Sequence, residues 1–489
     1  MQDIVEIGRY LKETPLRLRT AVMCKVSSAK VLETPSDVAQ LLLLHLTADS
    51  QIIKLKATPK HQRYLNLDYE LCNEIAKFLP EIGKLTTKHL ELHGITAENS
   101  IVPKIISLCP KLITLYLNGE TVEEVLDALQ DSCPNLQNLS LDGCWVGDVD
   151  IVKALFETNE DIWSLGEAMC NGDDIAQKSR FPSLTNLTVV SPLVSICGAT
   201  VLLNALRNLN HLNYSYWSTA VGDALLFLKE VVSPKLSVSI SSISLWRATA
   251  ERINSVIDTC PKLQHLLVEC VDPSLEDFSA LSSLSNLSSL CLRCIPENLI
   301  VSAIIAVGSK LKSLEIEYEQ YSYKNLSWET IDAINQHCPY LQTLTLSNIE
   351  LKSQKNTVLY YKWASSLTEV TNLTVKESII HPDSVERLIL GNSSLEKLHL
   401  DINKISLTDD FMNKIMKNNN LNRLKQIAFG AGVFSDAGVS KLFALPELRN
   451  LTLDLDSLPN VTKDSFTTLQ NTLRQGNYLC TLYNSCIKE

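Results

Sequence analysis

A long hydrophobic run, a catalytic signature and an excess of basic charge are all missing from this sequence. The run LLLLHL, Leu41–Leu46, is far shorter than the roughly 20 apolar residues that a membrane-spanning helix needs. The first ten residues mix acidic and basic side chains and contain no apolar core of signal-peptide length. We therefore expect a soluble, non-secreted protein with no membrane partner. The cytoplasm is its expected location, with the nucleus as the alternative.

Basic charge and aromatic residues are both scarce. The formal net charge is −11, and aromatic residues make up 6% of the chain. Proteins that bind nucleic-acid backbones need clustered Lys and Arg, commonly with aromatic side chains between them. The acidic balance therefore predicts that nucleic acid is not a partner.

Recognisable catalytic motifs are absent as well. The sequence contains no Gly-x-x-x-x-Gly-Lys-Ser/Thr, Gly-x-Gly-x-x-Gly, His-Glu-x-x-His or Gly-x-Ser-x-Gly. One Cys-x-x-Cys occurs, CLRC at Cys291–Cys294, but a structural zinc site needs four ligands and no second pair lies nearby. We predict a non-enzyme with no catalytic residue, metal site or cofactor.

A repeated leucine pattern fills most of the chain. CPNLQNLSLDGC, from Cys133, recurs as CPKLITLYL from Cys109, CPKLQHLLV from Cys260 and CPYLQTLTL from Cys338. Copies without the cysteine include FPSLTNLTV, LSNLSSLCL, GSKLKSLEI and NSSLEKLHL, and YLNLDY from Tyr64 is a weaker copy. Self-similarity at a period of about 24 to 30 residues predicts a leucine-rich repeat solenoid.

Each repeat reads as one strand followed by one helix. The last two leucines alternate with polar residues, which predicts a short strand with one buried face. TVEEVLDALQDSCP then places Val122, Leu126, Leu129 and Cys133 on one helical stripe, and the proline stops the helix. The cysteines at the equivalent place are predicted to be buried and structural: Cys109, Cys133, Cys260 and Cys338. The predicted fold is an α/β leucine-rich repeat horseshoe, with parallel strands on the concave face and helices on the convex face.

The unit resembles the cysteine-containing class of leucine-rich repeats, Cys-Pro-x-Leu-x-x-Leu-x-Leu-x-x-Cys. CPNLQNLSLDGC fits this pattern at every position, and the resemblance covers roughly residues 60 to 489. The class is best known from F-box substrate receptors of ubiquitin ligases and from related adaptors that lack the F-box. The resemblance implies an adaptor or substrate receptor in ubiquitination, with a cullin-ligase adaptor as a candidate partner.

The N-terminal segment does not show the repeat. Residues 1–60 are predicted to form a helical cap, and residues 61–489 the solenoid. TPSDVAQLLLLHLTADSQI, Thr34–Ile52, resembles the first helix of an F-box, but the rest of that motif is not recognisable. A cap over the exposed core edge of the first repeat is the favoured interpretation, and a degenerate F-box is the alternative.

Several segments interrupt the pattern. Residues 156–182 are acidic and fit either an eroded repeat, which is favoured, or an insertion. Aromatic residues cluster in NYSYWST at Asn213–Thr219, YEQYSYKNLSW at Tyr318–Trp328 and LKSQKNTVLYYKWASS at Leu351–Ser366. Such aromatics either form binding hot spots or wedge between neighbouring helices.

The candidate partner-binding residues occupy outward positions of the predicted strands. They are mostly polar, and a protein partner of unknown identity is expected to contact them. They are Tyr116, Asn138, Ser140, His211, Asn213, His265, Arg293, Glu315, Glu317, Lys397 and His399. One alternative is a ribonuclease-inhibitor-like or signalling protein that sequesters its partner without a ubiquitin ligase. A secreted, glycosylated repeat protein, suggested by nine Asn-x-Ser/Thr sequons, is a further alternative.

Overall fold

The computed structural model describes most of the chain. The described residues are 2–29, 34–56, 65–93, 95–97, 101–118, 123–142, 147–156, 162–171, 175, 179–190, 195–214, 220–232, 238–319, 324–351, 367–389, 392–402, 408–418, 421–429, 435, 441–442, 445–454 and 479–483. The aromatic segment after Leu351 and most of NYSYWST lie outside them.

Helices and strands alternate along the chain. The α-helices are α1 Gln2–Lys12, α2 Leu16–Ala29, α3 Pro35–Thr47, α4 Tyr69–Ala76, α5 Leu79–Ile82, α6 Ile101–Ser107, α7 Glu123–Ser132, α8 Asp148–Leu155, α9 Ile162–Cys170, α10 Ile196–Ala205, α11 Ala220–Phe227, α12 Ala250–Thr259, α13 Glu297–Val307, α14 Trp328–His337, α15 Pro382–Ile389 and α16 Asp409–Asn418. Shorter helical turns cover Leu228–Val232, Ser279–Ser283 and Gly308–Lys310.

The strands are short and mostly follow the repeated leucines. They are β1 Ile52–Lys56, β2 Leu65–Leu67, β3 His89–His93, β4 Ile95–Ala97, β5 Thr114–Asn118, β6 Asn138–Asp142, β7 Asn186–Val190, β8 His211–Tyr214, β9 Ser242–Ala248, β10 His265–Val271, β11 Ser289–Arg293, β12 Ser313–Glu317, β13 Lys324–Asn325, β14 Thr343–Ser347, β15 Ile349–Leu351, β16 Asn372–Ile380, β17 Lys397–Ile402, β18 Gln426–Phe429, β19 Asn450–Asp454 and β20 Leu479–Tyr483.

The chain divides into two compact units. Unit 1 comprises Met1–Trp246 and Asn254–Lys262. Its main ladder is parallel throughout and runs β1, β3, β5, β6, β7, β8, β9. The leucines are in register: Leu115 of β5 pairs with Leu139 of β6, which pairs with Leu187 of β7. Because these leucines are buried, each strand covers one face of a shared core.

Unit 2 comprises Arg247–Ile253 and Leu263–Glu489. Its parallel ladder runs β10, β11, β12, β14, β16, β17, β18, β19, β20. A side ladder pairs β13 with β15, and β15 with the far end of β16. Parallel neighbours joined by helical connections in both units are the α/β leucine-rich repeat fold that the sequence predicts.

The Cys-Pro pairs end helices as predicted. α7 ends at Ser132, α12 at Thr259 and α14 at His337, each one residue before the cysteine. Cys109, Cys133, Cys260 and Cys338 are all buried. Burial raises the pKa of each of these four thiols to about 12, so all remain protonated at neutral pH. Their predicted structural role as small core side chains is confirmed.

Three helices precede the first ladder strand. Thr34 caps α3 by accepting a hydrogen bond from the Asp37 N–H at 3.2 Å. Eight of the 13 residues of α3 are buried, and the helix contacts β1 and β2. α1 packs so closely on α3 that a Cβ on Gly8 would clash with Thr47 Oγ1. The placement of α3 suits a cap, while the division of the chain at residue 60 stays a prediction.

Two details differ from the predicted repeat boundaries. The first ladder strand is β1, IIKLK, which lies inside the segment predicted as cap. YLNLDY contributes β2, which pairs with β4 in a separate two-stranded sheet instead of joining the main ladder. IIKLK supplies the alternation that a ladder strand needs, with Ile53 and Leu55 buried, but lacks the flanking leucine that defines the repeat.

The favoured interpretation of residues 156–182 is wrong. β6 pairs directly with β7, so this segment adds no strand to the ladder and is an insertion. It contributes α9, and Phe156 forms an antiparallel bridge with Ser179 near the two ends of the insertion.

Among the described residues, no helix has the length and apolar character needed to cross a membrane.

Candidate functional site

The polar side of each ladder is the candidate site. We call it the open face: the side chains of ladder strands that point away from the buried leucines. In β5, for example, Leu115 and Leu117 are buried, while Thr114, Tyr116 and Asn118 are half-buried on the open face. The alternation arises because successive side chains of a strand point to opposite faces.

The predicted binding residues with described side chains do lie on this face. Eight are half-buried: Tyr116, Asn138, Ser140, His211, Arg293, Glu315, Glu317 and His399. His265 and Lys397 are exposed. Asn213 lies in β8, but its side chain is outside the described part of the structure. Partner contact by these residues stays a prediction.

Neutral hydrogen bonds link three neighbouring strands on the open face of unit 1. Asn138 Nδ2 donates to Thr114 Oγ1 at 3.0 Å, and Asn186 Nδ2 donates to Asn138 Oδ1. The three residues occupy one register position of β5, β6 and β7. Their mutual hydrogen bonds fix side chains that would otherwise rotate, so this part of the face is ordered before any partner arrives.

A charged and aromatic cluster lies beside this column. Glu91 Oε2 accepts from Lys54 Nζ at 2.5 Å and contacts His93 Nε2 at 2.9 Å. The His93 ring stacks on Tyr116, with ring centroids 4.0 Å apart. Partial burial alone would raise the pKa of Glu91, but hydrogen bonds from Lys54 and His93 outweigh it and hold that pKa below its usual value. The carboxylate is therefore ionised over the whole neutral range.

The open face of unit 2 contains an ion cluster centred on Arg293. Arg293 Nε binds Glu317 Oε2 at 2.9 Å, and Arg293 Nη1 binds Glu269 Oε2 at 3.3 Å. Register explains the grouping, because Glu269, Arg293 and Glu317 are neighbours on β10, β11 and β12. Although burial opposes the charge, the two carboxylates raise the pKa of Arg293. The cluster has more acidic than basic groups, and Glu315 adds another carboxylate on β12.

Thiols border the ion cluster. Burial, followed by the nearby Glu315 charge, raises the pKa of Cys291 to about 12, so this half-buried thiol stays protonated. Cys270, within β10, and Cys294, directly after β11, both lie in the left-handed region, at φ 59° and 57°. The two thiols interact with each other, and burial raises the pKa of both.

The C-terminal part of the unit 2 face is more basic. Lys376 and Lys397 are exposed on β16 and β17. Burial and the Lys376 charge lower the pKa of His399, and the Asp401 charge opposes them only in part. His399 is therefore largely neutral at physiological pH, when it can donate or accept a hydrogen bond.

Two predicted aromatic hot spots belong to the core. Tyr318 is 6% exposed, and its hydroxyl donates to the Ile295 carbonyl at 3.0 Å. Trp328, at the start of α14, is also 6% exposed. Both side chains wedge into the packing, which was the other interpretation of this segment.

Metal-ligand geometry is not found in the part of the chain that the structure describes. No group of three or more His, Cys, Asp or Glu side chains there is arranged to hold a metal ion. The chemistry offered by the described open faces is hydrogen bonding, ion pairing and aromatic contact.

Four members of these clusters were not predicted from the sequence: Lys54, Glu91, His93 and Glu269. Lys54 was not identified because β1 was assigned to the cap. A usable signal was present, since Glu269, Arg293 and Glu317 each directly follow the last apolar position of a repeated Leu-x-Leu or Leu-x-Val/Ile.

Several solved structures are similar to this chain at low sequence identity. No protein-family model and no curated protein matches the chain. Among solved structures, a leucine-rich repeat protein of Leptospira interrogans is 14% identical over 92% of this chain and 93% of that chain, with a TM-score of 0.36. A chain of the yeast Rad7 and Elc1 complex is 11% identical over 95% and 90%, with a TM-score of 0.41.

A third similar structure is a complex of TLR13 with single-stranded RNA. Its matched chain is 14% identical over 84% of this chain and 60% of that chain, with a TM-score of 0.35. Likenesses this low assign no function. The parallel ladders and their buried leucines give the chain the leucine-rich repeat fold.

Proposed function

We propose that the chain is a non-catalytic scaffold that binds a protein partner on its open faces. The observation that carries the proposal is the ordering of polar side chains across neighbouring strands. The Thr114–Asn138–Asn186 column and the Glu269–Arg293–Glu317 cluster are both held by side-chain contacts. A surface whose side chains are already ordered loses less entropy on binding, which favours recognition of a folded partner.

Affinity purification from source cells, followed by mass spectrometry, tests this proposal. The bait is compared with a double variant of the open faces, Tyr116→Ala with Arg293→Ala. Glu329→Ala, at an exposed position of α14, is the matched control. We expect a defined set of proteins that the double variant loses and the control retains. Retention of every recovered protein by the double variant contradicts binding on the open faces.

A finer role as an adaptor or substrate receptor in ubiquitination is also proposed. The cysteine-containing repeat pattern supports it, together with apolar side chains exposed on the N-terminal helices. Ile7, Tyr10 and Leu18 are 54%, 73% and 57% exposed. Large apolar residues at the surface of neighbouring helices are suited to protein contact. A cullin-ligase adaptor is the partner proposed for these helices, and the cytoplasm or nucleus is the proposed location.

Direct binding of a purified cullin-ligase adaptor tests the finer role. The triple variant Ile7→Glu, Tyr10→Glu and Leu18→Glu changes exposed positions and should leave the fold intact. Binding to the wild type that this variant loses supports the ligase role. No binding to the wild type refutes it and leaves the alternative of a scaffold that sequesters its partner.

A further inference from the structure

The insertion creates a cleft on the helical side of unit 1. α9 packs against α10, and together with α11 they enclose a volume of about 860 Å³. Its apolar lining includes Trp163, Met169, Ile196, Val201 and Phe227. All lining residues come from helices or, for Ser195, from the cap of α10, so the cleft is separate from the open face.

Four residues of α9 face the cleft along one stripe. Trp163, Gly166, Glu167 and Cys170 follow the i, i+3, i+4, i+7 spacing of a single helical face, and all four line the cleft. A Cβ on Gly166 would lie 3.6 Å from Cys197 Sγ, an ordinary van der Waals distance, so α10 passes close to this point of α9. Because glycine has no side chain, room is left beside Trp163 in the middle of the stripe.

The rim of the cleft leaves large apolar side chains in solvent. Trp163 is 74% exposed and Ile196 is 45% exposed. A tryptophan at the mouth of an apolar depression is a typical anchor of a protein–protein contact. An enclosed small-molecule site would bury these two side chains, whereas an open cleft between helices suits the apolar side of another helix.

Charge defines the chemistry of the occupant. From residue 157 to residue 175 the sequence carries six acidic residues and no Lys, Arg or His. Glu167 is the only charged residue among the described residues that line the cleft. A partner with basic residues flanking its apolar face would complement this charge.

We propose that this cleft binds an amphipathic helix of a partner protein, with leucine-like residues entering the cleft and Lys or Arg at its edges. The recognition is the helix-in-groove mode, read through apolar anchors at i, i+3, i+4 and i+7. The residues that line the cleft are separate from those of the open faces.

A labelled peptide tests the proposal on the full-length protein. The probe is a helix of about 18 residues with leucine on one face and lysine on the other. A second peptide carries glutamate in place of lysine, and a third has the first one's composition in scrambled order. We expect saturable binding of the lysine peptide by fluorescence anisotropy, weakened by salt, with at least about tenfold weaker binding of the other two.

Variants locate the binding on the cleft. Trp163→Ala and Glu167→Lys change exposed residues, and we expect each to weaken the lysine peptide, Trp163→Ala by about tenfold or more. Tyr69→Ala is the matched control, because Tyr69 is a 59% exposed aromatic of α4 in the same unit. Ile196→Glu provides a second test from the opposite wall.

The contrary results are equally defined. Equal binding of the lysine and glutamate peptides, or an equal loss in Trp163→Ala and Tyr69→Ala, overturns the proposal. So does dodecanoate binding that depends on Trp163 when the lysine peptide does not bind, which would identify a site for a small apolar ligand.

Discussion

The two units build the same kind of ladder but present different chemistry on it. In unit 1, amide and hydroxyl side chains of β5, β6 and β7 hydrogen-bond to one another. In unit 2, towards the other end of the strands, an arginine on β11 lies between carboxylates on β10 and β12. The repeat fixes where side chains stand, and the residue at each outward position decides whether recognition depends on salt. Neutral contacts keep their strength in salt, whereas partly exposed ion pairs weaken.

Both units share a core of buried leucines, and substitutions there should reduce stability the most. Leu115 of β5 and Leu314 of β12 are both 0% exposed. Leu115→Ala and Leu314→Ala should each destabilise the affected unit by about 2 to 5 kcal/mol, because each leaves a cavity in a packed core. Hydrogen exchange followed by mass spectrometry, read on peptides from each unit, measures the loss.

An exposed position supplies the control for these core variants. Tyr340 is 67% exposed, so Tyr340→Ala should change stability by less than about 0.5 kcal/mol. Core variants that match this control would show that the leucine positions are not the shared core of the ladder.

A histidine with a lowered pKa should make each unit less stable in acid, by different amounts. Burial lowers the pKa of His45, on α3 of unit 1, from 6.5 to about 4. His45 binds a proton more tightly in the unfolded chain than in the folded one. The free energy of unfolding is therefore unaffected by His45 protonation above pH 6.5. It falls by roughly 1.4 kcal/mol per pH unit as the pH drops from 6.5 towards 4. His45→Gln should flatten the pH profile of unit 1 between pH 6.5 and 4.

His399 of unit 2 provides the matched case. Its pKa is also lowered, chiefly by burial, but Asp401 opposes the shift and the side chain is only half-buried. The loss just below pH 6.5 should have the same sign and be smaller. Urea melts of His45→Gln and His399→Gln across this pH range test the order, and a steeper effect at His399 would reverse it.

The ladder was predictable because leucine spacing reports burial directly. CPKLITLYL and CPNLQNLSL became β5 and β6, and their cysteines follow the ends of helices as predicted. The insertion was misassigned because composition alone does not show whether a segment adds a strand; the β6–β7 pairing decides that. Individual outward residues were also predictable.

The contacts between outward side chains could not be predicted, because they depend on the register of neighbouring strands. The sequence of a single repeat does not give that register. Arg293 and Glu317 were identified separately, but only the alignment of β10, β11 and β12 shows that one arginine contacts two carboxylates. The cleft beside α9 was beyond sequence reasoning for a different reason. Its walls come from residues far apart in sequence, and Trp163 follows no repeat.

One polar substitution in each unit tests whether the two open faces respond differently to salt. Arg293→Met leaves Glu269 and Glu317 facing each other without the arginine charge, and should destabilise unit 2 by about 1 kcal/mol, since the cluster is partly exposed. Asn138→Ala removes hydrogen bonds with Thr114 and Asn186, at a cost of about 1 kcal/mol in unit 1.

Salt should separate two losses of similar size. Raising the salt concentration to about 1 M shortens the screening length to roughly 3 Å, so the effect of Arg293→Met should shrink. The effect of Asn138→Ala should stay unchanged. Denaturant melts at low and high salt measure both, and an equal response would show that the two faces do not differ in electrostatic character.

The smallest expected effect on stability comes from Glu91, Lys54 and His93 on the open face of unit 1. These charged side chains make this part of unit 1 resemble unit 2. The pKa of Glu91 lies below its usual 4.5 because Lys54 and His93 outweigh burial. Its contribution is therefore present above pH 4.5 and is lost as pH falls through the lowered pKa. Lys54 is 60% exposed, so Glu91→Gln should cost less than about 1 kcal/mol at pH 7 and nothing once the pH lies well below the lowered pKa of Glu91. Lys397→Met, at an exposed position of β17, serves as the control and should leave this acid window unchanged. A difference between wild type and Glu91→Gln that persists after the carboxylate is fully protonated would mean that the glutamate stabilises β3 by packing instead of by charge.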